Sequence, residues 1–171
     1  MRRKYELTDE TINVDDKILH RIKAVRTFNN VMAGDLGGFI EKEYNLSHDG
    51  DAWVCGNARV CGNARVYGDA QVCGDAWVCG DAWVYGDARV YGNAMIKSSF
   101  DLCVFMYFGS VNRTTTGFKT RDKKICVKCG CFSGTLEEFR NKVKETHGDN
   151  QYAKEYLMMA DLIELKLKKS E

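Results

Sequence analysis

From Gly50 to Lys97 the chain repeats one six-residue phrase eight times without an insertion: GDAWVC, GNARVC, GNARVY, GDAQVC, GDAWVC, GDAWVY, GDARVY, GNAMIK. The consensus is Gly, Asp or Asn, Ala, a variable residue, Val or Ile, then most often Cys or Tyr. Val54, Val60, Val66, Val72, Val78, Val84, Val90 and Ile96 recur at this period. A helix turns through about 600° in six residues, which scatters these positions around its axis. A short strand followed by a corner returns each of them to the same inward side, and Val and Ile suit strands. Gly with Asp or Asn tolerates the left-handed backbone of a tight corner. The chain has no proline, so its turns must come from these residues. The Ala four places after each Val is small enough to point inward near the corner. The residues flanking each Val point outward, because side chains alternate along a strand.

This phrase resembles the hexapeptide-repeat, left-handed β-helix family, in which three phrases make one triangular coil. Eight phrases then make just under three coils. The left-handedness is what the resemblance implies, since parallel crossovers are ordinarily right-handed; the alternative is a flat β-meander. Stacked coils give three outer faces. Trp53, Gln71 and Arg89 line up on one, Arg59, Trp77 and Met95 on the second, and Arg65 below Trp83 on the third. Neighbouring rungs are roughly 4.8 Å apart. Arg65 can therefore stack on Trp83 and Tyr67 on Tyr85. Cys55 and Cys73, and Cys61 and Cys79, become neighbours too. With no secretion signal in sight, all eight cysteines are read as reduced. Outward Trp and Tyr at this density leave a surface too apolar to stand alone, and so short a solenoid needs covering partners. The resemblance implies a homotrimer, and Trp53, Trp77, Trp83, Tyr67 and Tyr85 are its expected interface.

The expected architecture is mainly β: a left-handed parallel β-helix over 50–97, an N-terminal strand and cap region over 1–49, and a small α+β domain over 98–171. In the first segment 18–25 reads as a strand, and Gly34, Gly37 and Gly38 punctuate the chain after it. Ile40 and Leu46, six apart, begin an imperfect first coil. The lead-in LHRIKAVRTF…AGDLGGFIE…NLS resembles an uncharacterised bacterial and phage set of β-helix proteins that often carry transferase labels. After Lys97 the repeat stops. Strands are expected over 100–108, 114–120 and 124–127. Thr135 and Glu138 form a capping box that starts a helix ending near Gly148. A second helix runs over 151–168, with Tyr152, Tyr156, Met159, Ala160, Ile163 and Leu167 at helical spacing. The Gly130-Cys131-Phe132-Ser133-Gly134-Thr135 motif and the Glu138-Phe139 pair resemble a tail found on phage-encoded proteins.

The net charge of +1 points to neither long nucleic acid nor an acidic membrane. The basic start, Met1 to Lys4, is followed by a mixed stretch instead of an apolar signal segment, and no run is long enough to span a membrane. The expectation is a soluble protein in the cytoplasm of a bacterial host. Acyl transfer of the hexapeptide-repeat kind needs a poised imidazole. The three histidines, His20, His48 and His147, all lie outside the repeats, and His48 alone is near enough to serve as a base. Cys126, Cys129 and Cys131 form C-x-x-C-x-C, a weak zinc signal that His147 could complete; a strand core is the plainer account. No metal or other cofactor is expected.

The richest candidate site is basic and hydroxylic. Arg113, Thr114, Thr115, Thr116, Lys119 and Arg121 lie together, with Lys123, Lys124 and Lys128 following and Asp122 the only acid among them. Hydroxyls and Arg in turns suit phosphate, and Tyr107 and Phe118 could stack a base. A solvated hairpin face is the bland alternative. The leading expectation is a phage-type, non-enzymatic homotrimer that sequesters a small anionic ligand such as a nucleotide through its C-terminal domain, in a counter-defence role. An acyl- or nucleotidyl-transferase and a purely structural trimerisation module are the alternatives.

Overall fold

The computed structural model describes residues 3–168; Met1 and Arg2, at the basic start of the chain, lie outside them. The chain divides into two compact units, the first ending at Ser99 and the second beginning at Phe100.

The first unit opens with β1 (Tyr5–Val14), β2 (Lys17–Ala24) and β3 (Leu36–Ile40). Eight two-residue strands come next, β4 (Trp53–Val54), β5 (Arg59–Val60), β6 (Arg65–Val66), β7 (Gln71–Val72), β8 (Trp77–Val78), β9 (Trp83–Val84), β10 (Arg89–Val90) and β11 (Met95–Ile96). Each of β4 to β8 pairs in parallel with the strand three repeats later: β4 with β7 and β7 with β10, β5 with β8 and β8 with β11, β6 with β9. Three repeats therefore close one turn, and the domain is a β-solenoid of about three turns, not a meander. The Val and Ile of all eight repeats are at most 1% exposed, and the repeat alanines are fully buried. Each corner opens on a glycine of positive φ. Gly68, at φ +70°, shows why: a Cβ there would stand 3.1 Å from the Gly86 nitrogen of the next turn.

The ladder has a direction. Backbone N–H groups donate to the following turn, as in Trp53 N to Ala70 O (2.9 Å) and Gln71 N to Ala88 O (2.8 Å). The carbonyls of the first full turn therefore depend on the N-terminal segment, whose backbone meets some of them, as in Phe39 N to Ala58 O (2.8 Å), Glu41 N to Val60 O (3.0 Å) and Ser47 N to Val66 O (2.9 Å); a buried carbonyl left over would be costly. Side chains from the same segment reach others. Lys4 Nζ donates to Gly50 O (3.3 Å) and Ala52 O (2.8 Å). Asn45 Nδ2 donates to Gly62 O (3.2 Å) and Ala64 O (2.8 Å), and Tyr5 Oη to Leu46 O (2.7 Å). Ile40 pairs with Val60 and Leu46 with Val66, so the two residues six apart do begin an irregular first turn.

Residues 5–14 form a strand that the sequence did not suggest, antiparallel to β2. The resulting hairpin continues through β3 into the coil, in the order β1-β2-β3-β5-β8-β11. The N-terminal segment also corrects an expectation about Trp53. Its ring is only 5% exposed, edge-on to Phe28 at 5.4 Å and to Tyr5 at 6.4 Å. Gly37 permits this close approach, since a Cβ there would meet Trp53 at 2.7 Å and Ile22 at 2.5 Å. Trp53 belongs to this unit's own core and is not available to an interface.

The second unit is a four-stranded antiparallel sheet, β12 (Leu102–Phe108), β13 (Arg113–Lys119), β14 (Ile125–Cys129) and β15 (Phe132–Thr135), in chain order. Helices α1 (Leu136–His147) and α2 (Gln151–Lys168) complete it. The capping box forms as expected: Thr135 Oγ1 accepts from Glu138 N, and the Glu138 carboxylate accepts from Thr135 N. The fourth strand, β15, is one the sequence did not suggest; it arises from the Gly130–Thr135 motif, whose Gly130 turns the chain at φ +55°. Val127, Phe139, Val143, Tyr156, Ala160 and Ile163 are among the buried core residues, whereas Tyr152 is 44% exposed. Gly117 leaves room for Ile163, which a Cβ would meet at 2.7 Å. Among the described residues no helix is long and apolar enough to cross a membrane.

Candidate functional site

The repeat offers each of the three coil faces an aromatic, yet only one face keeps its aromatics open. Trp53 is covered by Phe28 and Tyr5. Trp77 is half-buried beside Val14, Leu19 and Phe39, and its indole N–H donates to Cys61 Sγ at 3.4 Å. On the face carrying β6 and β9, Trp83 remains 48% and Tyr85 45% exposed. Tyr67 stacks on Tyr85 with centroids 5.6 Å apart and planes 16° apart, and Trp83 meets Tyr67 edge-on at 6.2 Å. The Arg65 guanidinium lies 6.0 Å from the Trp83 ring and 3.8 Å from that of Tyr44, which is itself 51% exposed. The sequence period predicts the Tyr67–Tyr85 and Arg65–Trp83 neighbours. Tyr44 lies outside the repeat and carries no signal that would have placed it there.

The basic, hydroxylic stretch does not gather into one site. It forms β13, and an extended chain carries Lys119 about 20 Å from Arg113, six residues away. Arg121 lies beyond, in the turn after β13, so a small ligand cannot reach both arginines. Thr115 and Thr116 are fully buried and Phe118 is 2% exposed, so three of the expected contacts are core residues. Thr115 Oγ1 donates to Cys129 Sγ at 3.1 Å. Lys119 pairs with Asp101 at 3.7 Å, both side chains largely covered. What stays open at the β12–β13 end is Arg113, with Tyr107 74% exposed at φ +66°. Thr114 beside them is half-buried, and the Arg113 side chain lies over Gly130, whose Cβ would meet its guanidinium at 2.6 Å.

His48 sits at the start of the coil. Its Nδ1 accepts from the Lys4 backbone N–H at 3.2 Å, its ring stacks on Tyr5 at 4.3 Å, and its Nε2 is buried. Burial lowers its pKa below the ordinary imidazole value, with the nearby Lys4 and Arg3 charges acting in the same direction. The ring is stacked on one face, bonded at one nitrogen and buried at the other, and so helps hold Lys4 and Tyr5 at the start of the coil.

The cysteines depart from the expected uniform reduced state. Cys55 and Cys73, one turn apart, form a disulfide with Cα atoms 4.6 Å apart. The parallel register that stacks equal repeat positions brings the two sulfurs together. Cys61 and Cys79, in the same relation, are free. The Cys79 S–H and the Trp77 N–H both donate to Cys61 and pull its pKa down, while Cys79, as donor, is pushed up. Cys126 and Cys129, three apart on β14, point to opposite faces of the sheet. With Cys131 in the turn, they do not converge, and among the described residues no three His, Cys, Asp or Glu are placed to hold a metal. A cavity of about 140 Å³ in the second unit is lined by Phe132, Phe139, Val143, Tyr156, Lys142 and Thr146, with Cys129 and His147 at its wall. The His147 ring stacks on Tyr156 at 5.4 Å.

A coil of parallel two-residue strands with an aliphatic ladder inside makes this a β-solenoid repeat protein. The family model of the YdcK beta solenoid repeat matches it at residues 52–68, 58–74 and 70–86, all within the coil. The match registers at offsets of six and twelve residues (58 − 52 and 70 − 58), as a six-residue period allows. It covers only residues 52–86 of the repeat and leaves more than half of the chain outside. No curated protein matches the chain.

Proposed function

We propose that the protein is a non-enzymatic binding protein that assembles as a homotrimer of left-handed, hexapeptide-repeat coils. The single observation that carries this is the unequal covering of the three faces. The N-terminal segment shields Trp53 and crowds Trp77, yet leaves Tyr44, Trp83 and Tyr85 half-exposed around Arg65. Large aromatics and Arg at such density are the composition of an interface centre. The same segment serves as an N-terminal cap, since Lys4, Tyr5 and Asn45 close the carbonyl ends of the first turn. A capped start and one open apolar face suit lateral association of copies. The resemblance to hexapeptide-repeat proteins supports three copies and left-handed coiling. Sedimentation equilibrium tests the reading. The full chain is expected to run as a trimer, and Trp83→Glu as a monomer of unchanged circular dichroism; a wild-type monomer refutes it.

The capture of a small anionic ligand, such as a nucleotide signal, remains the reading for the second unit, in the phage-type counter-defence role that the tail's resemblance suggests. It rests on Arg113, Thr114 and Tyr107 at one strand end, without the buried threonines. A thermal-shift screen should show nucleotide stabilisation that Arg113→Ala removes and no turnover. Turnover abolished by His48→Ala would favour a transferase, and no response at all a structural module.

A further inference from the structure

Helix α2 has two apolar faces, and the fold uses one. Ala153, Tyr156, Ala160, Ile163 and Leu167 are buried in the core of the second unit. Met158, Leu162 and Leu165 are 66%, 52% and 55% exposed. At about 100° per residue, Leu162 points roughly opposite to Ala160. The spacings of four and then three residues are those of a coiled-coil seam, with Met158 and Leu165 at d and Leu162 at a. An amphipathic helix of a globular unit ordinarily carries polar residues there.

We infer that α2 is a second self-association element: Met158, Leu162 and Leu165 of one copy pack on the same residues of its neighbours, with the helices parallel. The inference rests on the homotrimer proposed above. The flanking charges choose this occupant. With Leu162 at a, Asp161 falls at g and Lys166 at e, on opposite sides of the seam. In a parallel coil a g residue faces the e residue about five positions later on the adjacent helix, so Asp161 of one copy meets Lys166 of the next. Asp161 already contacts Arg140 at 2.7 Å, yet its side chain is 73% exposed and can accept a second cation. Three seam layers are too few to hold free helices together. Tethering to a trimeric coil raises their local concentration and lets a short seam close.

Sedimentation equilibrium on the full chain separates this from the solenoid interface. Leu162→Glu is expected to raise the concentration of half-dissociation about tenfold or more. Asp161→Lys should raise it about threefold, and adding Lys166→Asp should return it near the wild-type value. The second substitution cannot rebuild the contact with Arg140, so rescue reports a contact between copies, and circular dichroism checks that the chain stays folded. A trimer that responds to Trp83→Glu but is indifferent to Leu162→Glu overturns the helix assignment alone. Absence of the charge-swap rescue also overturns it. A wild-type chain that is monomeric at every concentration overturns the homotrimer and this inference together.

Discussion

Replacing Asn45 by Ala removes three hydrogen bonds at the first turn of the coil. The Asn45 side chain is fully buried; its amide donates to Gly62 O and Ala64 O, and its Oδ1 accepts from Lys42 N at 3.0 Å. The Ala64 carbonyl is buried and would stay unpaired, at about 1–3 kcal/mol. The other two partners are part-buried and reach water more readily, at about 0.5–1.5 kcal/mol each. The expected loss is about 4 kcal/mol, a large share of the roughly 5–15 kcal/mol that stabilises a domain. Urea unfolding followed by tryptophan fluorescence measures it, because all three tryptophans, Trp53, Trp77 and Trp83, lie in the coil. The chains must be compared at equal concentration, since association shifts apparent stability. Asn45→Asp separates bonding from shape. It keeps the size and the bond from Lys42, but turns a carboxylate toward two carbonyl oxygens, so it should cost at least as much as Ala at pH 7. A loss below about 1 kcal/mol for Ala, or a wild-type midpoint for Asp, would refute the argument that the first-turn carbonyls need this donor.

Alkylation of the unfolded, non-reduced chain should label six cysteines and spare Cys55 and Cys73, as counted by mass. Replacing both by Ser should cost about 3 kcal/mol, the usual effect of opening a loop of this size, read from the urea midpoint without reductant. Gly117→Ala should destabilise the second unit by about 1–3 kcal/mol through overpacking on Ile163, read from a thermal melt, and an unchanged melt would count against that close approach. Lys4 is held at about 8, below its ordinary 10.5, mainly by burial and next by Arg26. Below about pH 8 the charged amine carries its burial cost in the folded state. Between about 8 and 10.5 the unfolded chain binds more protons than the folded one, so raising the pH favours folding. Wild-type stability should therefore rise relative to Lys4→Met across that window, and an unchanging difference would count against the burial of the amine.

The coil was legible in the sequence because its physics is periodic. One aliphatic and one small residue every six positions specify the interior, and Gly with Asp or Asn specifies the corners. Once three repeats close a turn, an 18-residue register results, and with it Tyr67 on Tyr85 and Arg65 beside Trp83. The capping box and both helices were equally plain, because a cap and a 3.6-residue period are local signals. The tertiary structure decided what becomes of equal positions. Trp53, Trp77 and Trp83 occupy the same place in the phrase, yet one is buried, one half-buried and one open. The difference comes from residues 5–40, which fold back on the coil through Gly37, and nothing in the phrase encodes that. Proximity in sequence misled most on β13, where extension separated Arg113 from Arg121 and strand pairing buried Thr115. The sequence sets each residue's preference for an environment; only the packing of distant segments determines which environment it receives.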